Sequence, residues 1–177
     1  MTDGSTPNAY AVHPEPATLQ IERLLPGPIE RVWAYLTESD LRRRWLAAGD
    51  MDPTPGSAFE FVWRNDELTQ PPGERPAGAS AEHRLACRII DFQPPRKLVT
   101  SWGESGEVSF TLEPKGGEVL LTLTHRRARD RDMLLKVSAG WHAHLDVLAA
   151  RLEGEEPAPF WDGLTRLQAE YEARIPA

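Results

Sequence analysis

Between Asp132 and Leu152 the residues Leu134, Val137, Trp141, Leu145, Leu148 and Leu152 recur at intervals of 3, 4, 4, 3 and 4. At 3.6 residues per turn that spacing places all six on one face of a single long helix. A helix with such a stripe has to bury it, and the upstream sequence supplies the surface. "SAFEFVWR" alternates Phe59, Phe61 and Trp63 against Glu60, Val62 and Arg64, the period of a strand with one aromatic face. "ATLQIERLL" alternates Leu19, Ile21 and Arg23 against Gln20, Glu22 and Leu24. "RLACRIIDF", "KLVTSWG", "EVSFTLEP" and "EVLLTLTHR" read as further strands. Pro94-Pro95, Gly103 and Lys115-Gly116-Gly117 separate them in short antiparallel connections.

Between the first two strands the period is helical. In "PGPIERVWAYLTE", Ile29, Val32, Trp33 and Leu36 share a face and Pro28 suits the first turn. In "TESDLRRRWL", Thr37 and Asp40 have the spacing of a capping box, so a second short helix follows. After the long helix, "FWDGLTRLQAEYEARI" carries Phe160, Leu164, Leu167, Tyr171 and Ile175 as a terminal helix. The expected fold is α+β: a curved antiparallel sheet of about six strands, its apolar face covered by the long C-terminal helix, the only element large enough to do so. Residues 1–16 are read as a flexible tail, 17–154 as the domain and 155–177 as a helical extension. "NDELTQPPGERPAGASAE", residues 65–82, is polar and rich in Pro and Gly and is read as a mobile loop.

The 177 residues suffice for one domain with a sizeable core. With 20 basic and 27 acidic residues, net −7, electrostatic binding to nucleic acid or to an anionic membrane is not expected. The single cysteine, Cys87, fits a reducing compartment. The N-terminus lacks the basic start and apolar run of a signal peptide, and no stretch approaches the roughly 18 apolar residues of a membrane span. A cytoplasmic protein is expected.

Four stretches in this order resemble the START and Bet v 1-like (SRPBCC) superfamily, and its branch with homology to the activator of the heat-shock protein 90 ATPase. They are "PIERVWAYLTE" with the helix ending at Trp45, "PPRKLVTSW" with Trp102, "VSFTLEPKGGEVLLTLTH", and "GWHAHLDVLAARLEG". The resemblance implies a helix-grip fold with a cavity between sheet and long helix. It does not imply one function, because the superfamily includes lipid carriers, hormone receptors, aromatic cyclases and chaperone cofactors. The chaperone activator grips its partner largely through a further N-terminal domain. Only a short tail stands there in this sequence, so ATPase activation is not expected.

Cavity-lining candidates are Trp33, Phe59, Phe61, Trp63, Trp102, Phe110, Leu123, His125, Trp141, His144 and Leu145. Trp141 lies central in the helical stripe and His144 at its edge. His125 alternates with Leu121 and Leu123, which leaves it either satisfied by a polar neighbour or at a cavity mouth. An apolar site with a few placed polar groups is a usual form for a small-molecule pocket. On a helix His142 and His144 diverge by roughly 200°, so they do not grip one metal ion. His142 and Asp146, one turn apart, read as a solvent-exposed pair. The arginines at 42–44 and at 126, 127, 129 and 131 read as solvated surface, Arg88 as pointing outward or at a ligand anion, and Cys87 as a small buried hydrophobe.

There is no glycine-rich phosphate loop, no Gly-x-Ser-x-Gly elbow and no repeated Cys-x-x-Cys. A binding protein for an apolar or aromatic ligand, with no cofactor and no metal, is therefore preferred to an enzyme. The alternatives are a chaperone-associated stress-response protein and a cyclase or aromatase-like enzyme. The terminal stripe also suits a homodimer contact.

Overall fold

The computed structural model describes residues 10–176. Six strands, β1 (Leu19–Pro26), β2 (Ala58–Trp63), β3 (His83–Gln93), β4 (Lys97–Trp102), β5 (Gly106–Lys115) and β6 (Glu118–Arg126), form one antiparallel sheet in the order β1-β6-β5-β4-β3-β2. Helices α1 (Ile29–Thr37) and α2 (Ser39–Arg42) separate β1 from β2. The long helix α3 (Arg131–Glu153) crosses the apolar face of the sheet, and α4 (Phe160–Arg174) packs on α3. This is the expected α+β helix-grip architecture.

The alternation read from the sequence decides which residues the sheet buries. Leu19, Ile21, Arg23 and Leu25 of β1 point inward, as do Phe59, Phe61 and Trp63 of β2 and Val108, Phe110 and Leu112 of β5. A register shift in β3 between Ile89 and Asp91 marks a bulge, so the strand bends into the grip. Asp130 caps α3 by accepting the Met133 N–H (2.9 Å), and Gly154 ends it with φ 73°, a left-handed conformation that costs glycine little. The α3 backbone runs nearest to β1. The wedge left over the opposite side of the sheet is occupied by aromatic side chains.

Four readings change. Thr37 makes no capping box: its hydroxyl donates to the Trp33 carbonyl one turn back (3.0 Å), and α2 has no side-chain cap. Arg42 is not solvated. It is 1% exposed, its guanidinium donates to the carbonyls of Leu36, Thr37, Ala47 and Gly49, and it lies over the Phe61 ring. A planar five-donor fork suits such a ring of carbonyls and the irregular segment after α2 needs those donors.

The segment 65–82 is anchored. It opens with a 3-10 turn (Asn65–Glu67) and buries Leu68. Thr69 Oγ1 accepts the Phe160 N–H (3.0 Å), the Pro72 carbonyl accepts the Trp161 N–H (2.9 Å), and Asp66 accepts from Trp161 Nε1 (2.7 Å). The first two bonds satisfy backbone donors that the first turn of α4 leaves without helical partners, and the third holds the Trp161 indole. At the other end, Arg131 donates to the carbonyls of Glu172, Ile175 and Pro176.

The His142–Asp146 pair is not exposed on its histidine side. His142 is 3% exposed because α4 and residues 10–13 cover it. Of the segment read as a tail, residues 1–9 lie outside the described residues. Tyr10 stacks edge-on with His142 and Tyr171, and Val12 forms a bridge with Gln20 of β1.

Candidate functional site

Directly paired residues on neighbouring strands share a face of the sheet. The register Leu19↔His125, His125↔Val108, Val108↔Thr100 and Thr100↔Ile89 therefore draws one row across five strands, and all five side chains are buried. Over this row comes Trp141 of α3. Its Nε1–H donates to His125 Nδ1 (3.0 Å). Because Nδ1 accepts, the imidazole proton sits on Nε2. Burial depresses the pKa of His125 to about 4, so the ring is neutral near pH 7.

Seven of the eleven candidates form one connected aromatic cluster. Phe59 meets Phe61 at 4.9 Å between ring centroids, and Phe61 meets Trp63 at 5.4 Å. Trp102 then touches Phe61 (5.8 Å), Trp63 (5.5 Å), His125 (5.2 Å) and Trp141 (5.3 Å), and Trp141 closes on Phe110 (5.7 Å). Edge-to-face and tilted contacts at these distances are favourable ring packings. Trp102 stays partly exposed, next to the turn at Gly103, so it connects this interior to the surface. Leu123 and Leu145 are fully buried, Leu123 opposite Ile21 and Phe110.

Two candidates lie elsewhere. Trp33 packs against Phe92 (5.3 Å) and is half-buried. His144 donates Nδ1–H to the Trp45 carbonyl (2.9 Å) and faces Phe160 (4.8 Å), and burial lowers its pKa to about 4. It ties α3 to the segment after α2 and to α4.

The residue missed in the sequence is Thr100. It alternates with Leu98 and Trp102, and its register partner Val108 places it in the row with His125. Among the described residues its Oγ1 is buried with no hydrogen-bond partner. Cys87 is buried on the same strand face as Leu85 and Ile89, and burial pushes its thiol up to about 11, so it is a protonated thiol at neutral pH. Arg88 points outward and donates to the Gly56 carbonyl (3.0 Å).

A second polar group lies on the far side of α3. Tyr171 accepts the Ala11 N–H (2.7 Å) and hydrogen-bonds His142 Nδ1 (2.9 Å). His142 Nε2 faces Asp146 (3.7 Å), which pairs with the buried Arg23 (3.4 Å). Burial first, then the charge of Arg23, depresses the His142 pKa to about 3. His142 and His144 thus diverge to different partners. Among the described residues no group of three or more His, Cys, Asp or Glu side chains could hold a metal ion. Arg126 and Arg127 pair with Glu107, and Arg129 with Asp130. No helix of the described residues is long and apolar enough to cross a membrane.

The model of one family, described as activator of Hsp90 ATPase homolog 1-like protein, matches residues 26–153. A protein from Bordetella parapertussis, solved in solution by NMR, is 39% identical, with 100% of this chain and 97% of that chain covered and a TM-score of 0.81. CalU16 from Micromonospora echinospora is 22% identical in its crystal structure, covering 93% of each chain with a TM-score of 0.64. DynU16, from the dynemicin biosynthetic locus, is 17% identical over 81% of this chain and 49% of that chain, with a TM-score of 0.65. The last two share the fold. No curated protein matches the chain.

Proposed function

Because the chain belongs to the family of activator of Hsp90 ATPase homolog 1-like proteins, within the START and Bet v 1-like superfamily, we propose that it binds a small apolar or aromatic ligand between the sheet and α3. The carrying observation is Trp102. One partly exposed indole touches four buried aromatic rings, so displacing that single side chain opens the aromatic interior to solvent. The walls are Phe59, Phe61, Trp63, Phe110 and Trp141, with Leu123 and Leu145 behind them. His125 is the polar group among them, and its neutrality favours an uncharged ligand. In this reading residues 17–154 form the binding domain and 155–177 the extension that backs α3.

Isothermal titration of the full chain with 2-naphthol and with an acyl-chain probe tests the proposal. Saturable one-to-one binding of the aromatic probe supports it. The absence of saturable binding by either probe contradicts it. The family match favours a second reading, a chaperone-associated stress-response protein, whose test is stoichiometric binding of this chain to purified Hsp90.

A further inference from the structure

A buried hydroxyl without a partner carries a desolvation cost that valine, of the same shape, avoids. Thr100 sits in this condition on the inner face of β4. Its row partner His125 carries the Nε2 proton because Nδ1 is taken by Trp141. Both groups are nine-tenths or more buried; His125 meets the Trp102 ring, and Thr100 lies two residues before Trp102 on the same face of β4. Their strands are separated by β5, so the two backbones lie roughly 10 Å apart, with Val108 between them. That interval is about the length of a two-ring aromatic frame with one substituent at each end.

We propose that Thr100 and His125 are the two polar recognition groups of the site, and that its ligand is an uncharged, ring-sized aromatic molecule with an oxygen at each end. His125 Nε2–H donates to one oxygen. The Thr100 hydroxyl donates to or accepts from the other, which serves a phenol or a carbonyl. The cost of the unpartnered threonine is then a stability loss retained for binding. The inference rests on the binding reading above and goes beyond it by naming the ligand chemistry and the groups that read it.

The test is a titration of the full chain with naphthalene, 2-naphthol and 2,6-dihydroxynaphthalene. Affinity should rise along this series by roughly three- to tenfold per oxygen, the size of one hydrogen bond. In Thr100→Val the diol should fall to the affinity of 2-naphthol, so that the step from one oxygen to two disappears, and the melting temperature should rise. Thr100→Ser should restore the diol preference. His125→Asn keeps an acceptor for Trp141 and removes Nε2–H, and should remove one step of the series. If all three probes bind wild type equally, or Thr100→Val raises the melting temperature with no change in the series, the inference fails and the binding reading stands. If no probe binds, both fail.

Discussion

Trp141 does two jobs with one side chain: its ring fills the wedge between α3 and the sheet, and its N–H satisfies His125. Trp141→Phe separates them, since the ring packing largely survives and the donor is lost. That variant should lose about 1–3 kcal/mol in denaturant unfolding, the cost of leaving a buried imidazole nitrogen unpartnered. A loss below about 0.5 kcal/mol would mean that the Trp141–His125 bond contributes little. The inward direction of Phe59, Phe61, Trp63 and His125 was legible because period-2 alternation fixes faces. The burial of the polar groups was not: Arg23 meets Asp146 of α3, Arg42 turns under the carbonyls of its own irregular segment and the Phe61 ring, and Thr100 enters the row of His125 through strand register, none of which alternation specifies.

The elements themselves were read closely, since long runs of one period leave few alternatives: six strands, two short helices, the long helix and the terminal helix. The environment of α4 was less legible. Its stripe announced burial without naming what it covers, and the answer, α3 with residues 65–82, explains why His142 is hidden and why the proline-rich segment is anchored. Phe160, Trp161, Leu167, Tyr171 and Ile175 are all buried within this one chain. Deleting residues 157–177 should therefore lower the melting temperature and expose apolar surface to a dye such as ANS. A truncated chain that melts with the parent and binds no more dye would contradict this role for α4.

At the scale of the whole molecule, three buried histidines make stability depend on pH. Burial holds His125 and His144 at about 4 and His142 at about 3, against 6.5 for the free group. The folded-state values are depressed, so the unfolded chain binds more protons between these limits. The stabilisation is complete above pH 6.5 and is lost as pH falls below it. Each histidine contributes roughly 1.4 kcal/mol per pH unit in that window. Asp146, whose carboxyl is pushed up by burial despite the attraction of Arg23, opposes part of this loss. Acid unfolding followed by far-UV circular dichroism should be centred at about pH 5 for a domain of ordinary stability. An unfolding free energy, measured with denaturant, that stays constant between pH 6.5 and pH 4.5 would mean that these histidines are not buried as described.

The proposal of a ligand between sheet and α3 predicts which parts of the molecule sense it. The six tryptophans are well placed to report. Trp102 and Trp141 lie in the cluster, whereas Trp45 Nε1 is held by the Tyr35 carbonyl (2.8 Å) and Trp161 Nε1 by Asp66 (2.7 Å). The most direct measurement is a proton–nitrogen correlation spectrum of the indole N–H groups, assigned by single Trp→Phe variants and titrated with 2-naphthol. Saturable shifts of Trp102 and Trp141, with Trp45 and Trp161 unmoved, are the predicted result. Indole signals that stay fixed at Trp102 and Trp141 throughout the titration, or shifts confined to Trp45 and Trp161, would contradict a ligand site between the sheet and the long helix.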